Sequence, residues 1–187
     1  MKQYSPDKIK NIVMLGHAAS GKTSLTEAMA FVGGTTTRMG TIGEGNTISD
    51  FDPEEIKRKI SVRTSIVPVE YKDYKINLID TPGFADFIGE TISGISACDG
   101  SVFVACAVNG LGVGAEEFWR MSEEYKIPKI IFVNRLDKER ADFFKTCDIL
   151  KETFGKDVVV VHIPIGQEAG FSGIVDILYK KAYKFDN

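Results

Sequence analysis

The sequence holds little that would tie it to a membrane, a metal cluster or a nucleic-acid backbone. Its 187 residues include only 3 cysteines, 1 tryptophan and 2 histidines, and 23 lysines and arginines fall short of 26 aspartates and glutamates. Cys98, Cys106 and Cys147 are odd in number, far apart and set among apolar residues, so they read as reduced core thiols rather than a disulfide framework or metal site. A net charge of -3 gives no basic surface, and direct nucleic-acid binding by this chain is not expected. No apolar run approaches the ~18 residues of a membrane span, and the polar start "MKQYSPDKIK" has no signal-peptide character. The expectation is a cytoplasmic monomer without a membrane partner.

What is present suits a globular fold, because 43% hydrophobic residues can bury a core for one domain, or one domain with part of another. Short β-rich runs at 11–15, 75–79, 101–107, 129–133 and 157–161 alternate with amphipathic segments, the pattern of parallel strands joined by crossover helices. The more polar "SVRTSIVPVEY" (61–71) contains Pro68 and predicts an edge strand, paired antiparallel as a hairpin with 75–79. In 141–154, Phe143, Cys147, Leu150 and Phe154 form one apolar stripe, predicting a helix packed on the sheet. A second helix over 114–126 carries acids early and Lys126 late, with Trp119 as a packing residue. Between Gly33 and Ile60 the pattern lapses into a long polar loop rich in Gly and Thr, a sign of function or mobility.

Directly after the first strand comes "GHAASGKT" (16–23), which matches G-x-x-x-x-G-K-[ST] in the strand-loop-helix context that gives the pattern meaning. Glycines let backbone N–H groups wrap a phosphate chain, and the next helix points its positive end at the same place. Lys22 would neutralise the β- and γ-phosphates while the Thr23 hydroxyl ligates Mg²⁺. Asp80 ends a buried strand in "DTPG", where an open α/β sheet places its ligand site; it would hold the metal from its second shell, or else cap the following helix. Gly83 could then offer its N–H to a γ-phosphate. "NRLD" (134–137) follows another strand, and the Asp137 carboxylate can accept from both N1–H and N2–H₂ of guanine, which adenine does not offer. Alone, N-x-x-D is a turn; third in this order, it points to GTP.

The ordered set "GHAASGKT", "DTPG" and "NRLD", with "ACDGSVFVACAVNG" and "IPIGQEAGFSGIVDILYKKAYKF", closely resembles the GTP-binding domain of bacterial elongation factor G. The resemblance implies an α/β P-loop NTPase fold: a mostly parallel sheet with one antiparallel edge strand and helices on both faces. It implies a GTP-binding domain over 1–157, incomplete at its C-terminus, and the start of a G' insertion over 158–187. It implies GTP/GDP and Mg²⁺ as ligands and the ribosome as partner of the full-length protein. The nucleotide site then comprises Gly16, His17, Ala18, Ala19, Ser20, Gly21, Lys22, Thr23 and Ser24, then Asp80, Thr81, Pro82 and Gly83, then Asn134, Arg135 and Asp137. By the same resemblance the 33–60 loop is switch I, and Ser61 stands for the threonine whose hydroxyl meets Mg²⁺.

Departures from the family pattern carry information too. Lys59 replaces a glycine and Arg135 a lysine, with little chemical consequence. Ala19 stands at the phosphate-loop aspartate that helps hold a cation. Phe84 stands at the histidine that positions the attacking water, and a benzyl group can neither orient nor deprotonate water. The catalytic set is therefore Lys22 and Gly83, with Phe84 marking the position of a missing group, and hydrolysis is expected to be slow. Divergent second-copy relatives of elongation factor G resemble this chain most. The only Ser-Ala pair, Ser96-Ala97, cannot serve as the family's guanine-binding element. His17 and His162 are expected to be structural. A P-loop ATPase or nucleoside kinase, and a GTP-gated module with little hydrolysis, are the competing readings.

Overall fold

The computed structural model describes residues 2–185. The chain divides into two compact units, one reaching residue 104 and including 113–132, the other comprising 105–112 and the residues from 133 on.

The five-stranded sheet has the order β2-β3-β1-β4-β5, with β1 (Ile9–Leu15), β2 (Ser65–Tyr71), β3 (Tyr74–Asp80), β4 (Gly100–Cys106) and β5 (Lys129–Asn134). Strand β1 pairs in parallel with both β3 and β4, while β2 pairs antiparallel with β3 at the edge. Lys72 and Asp73 make the hairpin turn with φ of 44° and 64°, the left-handed pair whose twist suits a two-residue connection. Pro68 lies in edge strand β2, where a missing N–H costs least. The strand begins at Ser65, so 61–64 of the expected strand stay outside it.

Alternation along the strands sorts side chains onto two faces. Met14, Val67, Val69, Leu78 and Val104 form a buried cluster with Ala30 of α1 (Lys22–Val32), which covers one face. On the other face Val13 and Ile79 meet α3 (Ile88–Ser96) at Gly94, where a Cβ would come within 3.2 Å of either. Phe103 packs edge-on against Trp119 of α4 (Ala115–Glu124), ring centroids 5.8 Å apart, in keeping with a packing role for that tryptophan.

The 33–60 segment is more ordered than its composition suggests. It contains a 3-10 turn (Ile42–Glu44) and the short helix α2 (Pro53–Arg58), started by a reciprocal capping box between Asp52 and Glu55.

In the second unit, α5 (Phe143–Phe154) buries Cys147 and Leu150, with Phe143 and Phe154 half-buried. A three-stranded antiparallel sheet follows, with β7 (Gly173–Asp176) between β6 (His162–Ile165) and β8 (Lys181–Lys184). The expected strand at 157–161 does not form. Ladder pairing starts at His162 opposite Asp176, and Val159 is exposed; the Val161 carbonyl accepts from Ile177 N–H (3.0 Å), but one bond at the end of the run makes no strand.

Candidate functional site

Strand β1 runs into Gly16, whose φ of 134° and close approach to β4 admit only glycine: a Cβ there would lie 2.4 Å from the Val104 carbonyl oxygen. The loop continues through Ala19 at φ 58° and Gly21 at φ 105°, and α1 begins at Lys22. Lys22 is buried, and its Nζ donates to the carbonyls of Gly16 (2.9 Å) and His17 (3.0 Å). Burial lowers its pKa to about 8, against the opposing pull of Asp80 and Asp50.

The turn after β3 closes on this loop. Ala18 N–H donates to the Gly83 carbonyl, and a Cβ on Gly83 would lie 2.4 Å from Lys22 Nζ. Thr81 Oγ1 donates to Met14 O (2.7 Å), and Thr91 of α3 donates to Pro82 O (3.2 Å), so the turn is held from both sides. His17 Nδ1 lies 3.0 Å from Val113 O, while Ser24 is exposed on α1.

Thr23 Oγ1 and Ser61 Oγ lie 3.1 Å apart, so the residue just after the 33–60 segment reaches the start of α1. Asp80 is 1% exposed and caps no helix; neither carboxylate oxygen accepts a hydrogen bond of ordinary geometry, although the Thr23 and Ser49 hydroxyls lie beside it. Its pKa is raised by burial, with the Lys22 charge opposing. Asp50, 5% exposed, is a site residue the sequence reading missed. Burial pushes its pKa up to about 6, the Ser61 hydroxyl opposes this, and the Asp80 charge adds to it. Nothing in "NTISDFDPEE" separates Asp50 from its acidic neighbours, so no local signal could have found it.

Two buried carboxylates facing one lysine leave an excess of negative charge and unpartnered oxygens, beside the hydroxyls of Thr23, Ser49 and Ser61. That donor set fits a hard divalent cation such as Mg²⁺. Among the described residues no three His, Cys, Asp or Glu side chains form a metal cluster, so phosphate oxygens would have to complete the shell.

Phe84 is 38% exposed and starts the 3-10 turn Ala85–Phe87, with Phe87 N–H on its carbonyl.

In the second unit the 134–137 loop is tied down by its backbone. Ala107 N–H donates to Asn134 O (2.9 Å), and Asn134 Oδ1 accepts from Arg135 N–H (2.8 Å), with Arg135 at φ 64°. Asp137 is exposed and paired with Lys138 (2.8 Å), which holds its carboxyl below the usual range. Gln167 Nε2 on Ala141 O and Arg140 N–H on Glu168 brace the same stretch from the small-sheet side.

A mostly parallel sheet whose first strand feeds a glycine loop and the N-terminus of a helix, with a buried aspartate ending the third strand, defines a P-loop NTPase. The family described as "Elongation factor Tu GTP binding domain" matches residues 7–185, and the chain belongs to it. Elongation factor G 2 of Borreliella burgdorferi is 37% identical over 177 residues, 95% of this chain and 26% of that protein. Elongation factor G 2 of Syntrophomonas wolfei is 34% identical over 184 residues, 98% of this chain and 26% of that protein. Elongation factor G of Granulibacter bethesdensis is 37% identical over 182 residues, covering 97% of this chain and 26% of its own length. A crystal structure of a protein from Thermus thermophilus superimposes with a TM-score of 0.91 at 32% identity, over 96% of this chain and 27% of that one. The chain thus spans about a quarter of the length of the curated relatives it matches.

Proposed function

We propose that this domain binds GTP with Mg²⁺ and switches conformation on hydrolysis to GDP, as the GTP-binding part of an elongation factor G-like factor acting at the ribosome. The observation that carries the reading is the cradle of Lys22, Gly83 and Asp80, where one buried lysine and an orphaned buried carboxylate adjoin a glycine that tolerates no side chain. Bound Mg²⁺ would supply charge neutralisation across the β- and γ-phosphates. Lys22 would exchange the Gly16 and His17 carbonyls for phosphate oxygens. Thr23 and Ser61 would offer hydroxyls to the metal, with Asp80 and Asp50 accepting from its waters. Asp137, with Asn134 and Arg135 in the same loop, would select guanine. Residues 158–187 would open the G' insertion.

A second reading is favoured by Phe84 and Ala19: a module that holds GTP but scarcely hydrolyses it, its output being the conformational change. Calorimetric titration with GTP, GDP and ATP, with and without Mg²⁺, tests the proposal, and Lys22→Ala is the decisive variant. Removing a desolvated charge that faces phosphates costs about 2 to 5 kcal/mol. Unchanged GTP affinity in that variant would refute the phosphate-loop assignment.

A further inference from the structure

Glu27 lies on α1 one turn beyond Thr23 and is 2% exposed. Each carboxylate oxygen accepts a backbone amide from a different part of the 33–60 segment: Oε1 from Gly40 at 2.7 Å and Oε2 from Ile48 at 2.8 Å. Charge-assisted bonds of this length are stronger than neutral ones, and they fix backbone rather than a side-chain tip. The approach is close enough that a Cβ on Gly40 would lie 2.8 Å from Glu27 Oε1 and 2.4 Å from the Asn46 carbonyl oxygen.

Ile48 immediately precedes Ser49 and Asp50, which border Asp80 and Ser61 respectively. The Ser49 carbonyl is held in turn by the Ser65 hydroxyl (2.6 Å). Farther along, Glu55 Oε1 accepts from both Val62 and Arg63, the residues just after Ser61. One helix therefore presents Lys22 and Thr23 to the phosphates and, through Glu27, sets where the segment carrying Asp50 begins its approach.

We propose that Glu27 is a positioning residue for the triphosphate state: by clamping the Gly40 and Ile48 amides to α1 it registers the segment so that Ser49, Asp50 and Ser61 stand at the metal side of the site. The inference rests on the GTP-binding reading above. A clamp of this kind acts on the nucleotide that needs the segment in place. Its loss therefore falls on Mg²⁺–GTP rather than on GDP, which the phosphate loop and the base-reading loop hold without it.

The test compares the parent with Glu27→Gln and Gly40→Ala for affinity toward a non-hydrolysable GTP analogue and GDP, both with Mg²⁺, alongside thermal midpoints and hydrogen exchange at the Gly40 and Ile48 amides. In Glu27→Gln a donor amide faces an N–H, and the GTP-analogue affinity falls about tenfold while GDP affinity stays within about twofold. Gly40→Ala leaves the helix untouched, pushes the loop away from Glu27 and produces the same selective loss, so it carries the test should Glu27→Gln fail to fold. Faster exchange at both amides accompanies the loss. An equal change for both nucleotides, or none, overturns the inference while leaving GTP binding intact. A parent that binds neither nucleotide overturns the GTP-binding reading and this inference with it.

Discussion

The backbone N–H of Ala18 donates to the carbonyl of Gly83 across 3.1 Å, so the phosphate loop and the turn after β3 are bonded directly to each other. A phosphate loop works by offering such amides to phosphate oxygens, and here the turn holds one of them. Under the proposed reading, triphosphate binding and movement of Gly83 would be coupled through this hydrogen bond.

That coupling makes Gly83 sensitive to one methyl group. In Gly83→Ala the new Cβ would meet Lys22 Nζ at 2.4 Å, Ala18 N at 2.5 Å and Ala18 Cα at 2.7 Å, two of them backbone atoms that cannot swing away. Overpacking of this kind costs about 1 to 3 kcal/mol. Calorimetry should show at least a tenfold loss of GTP affinity, by order of magnitude, with Lys22 displaced from its carbonyls. Parent-like affinity would mean that the turn swings clear of the loop before nucleotide enters.

Asp50 gives the ligand-free protein a distinctive pH response. Its folded carboxyl keeps its proton up to about pH 6, whereas an unfolded aspartate with the ordinary value of 3.8 has already released it. The folded state binds more protons between those values, so this group's contribution to stability is greatest below pH 3.8 and is lost as pH rises through about 6. Asp50→Asn should flatten that slope, raise the thermal midpoint at pH 7 without nucleotide and weaken Mg²⁺–GTP binding. Thermal melts of both proteins from pH 4 to 7 check this, and identical slopes would remove Asp50 from the account.

Guanine selectivity is expected to rest on Asp137, whose carboxylate can satisfy both N1–H and N2–H₂. Asp137→Asn should weaken GTP and favour xanthosine triphosphate, which presents an acceptor at position 2. A variant that still prefers GTP by the parent's margin would show that the base is read elsewhere.

Phe84 and Ala19 set the expected hydrolysis rate. Positioning or deprotonating water contributes typically ~10²- to 10⁴-fold, and neither side chain can do it. In the full-length protein with ribosomes present, Phe84→His should raise turnover, more so alongside Ala19→Asp, while GTP affinity stays within about a few-fold because Phe84 supplies none of the proposed phosphate, metal or base contacts. Aspartate also tolerates the left-handed φ of 58° at position 19 better than alanine, so the second change should not destabilise the loop. A parent that already turns over at the double variant's rate would show that this domain needs no side chain at position 84.

The sequence by itself determined the parts whose signal is local. The order of β-rich runs, the glycines and lysine of 16–23, the aspartate ending β3 and Pro68 at an edge strand each follow from backbone geometry or from the period of neighbouring residues, and each is found where expected. Tertiary structure decided what depends on residues far apart in the chain. The run at 157–161 has strand composition but reaches a neighbour only at its end, where Val161 O accepts from Ile177 N–H, and β6 starts at His162 instead. Asp50 looks like any surface acid until folding buries it beside Asp80 and Ser61. Glu27 looks like an ordinary helix acid until two amides, 13 and 21 residues away, close on its carboxylate. Burial and hydrogen-bond partners are properties of the whole packed chain, and no window of sequence contains them.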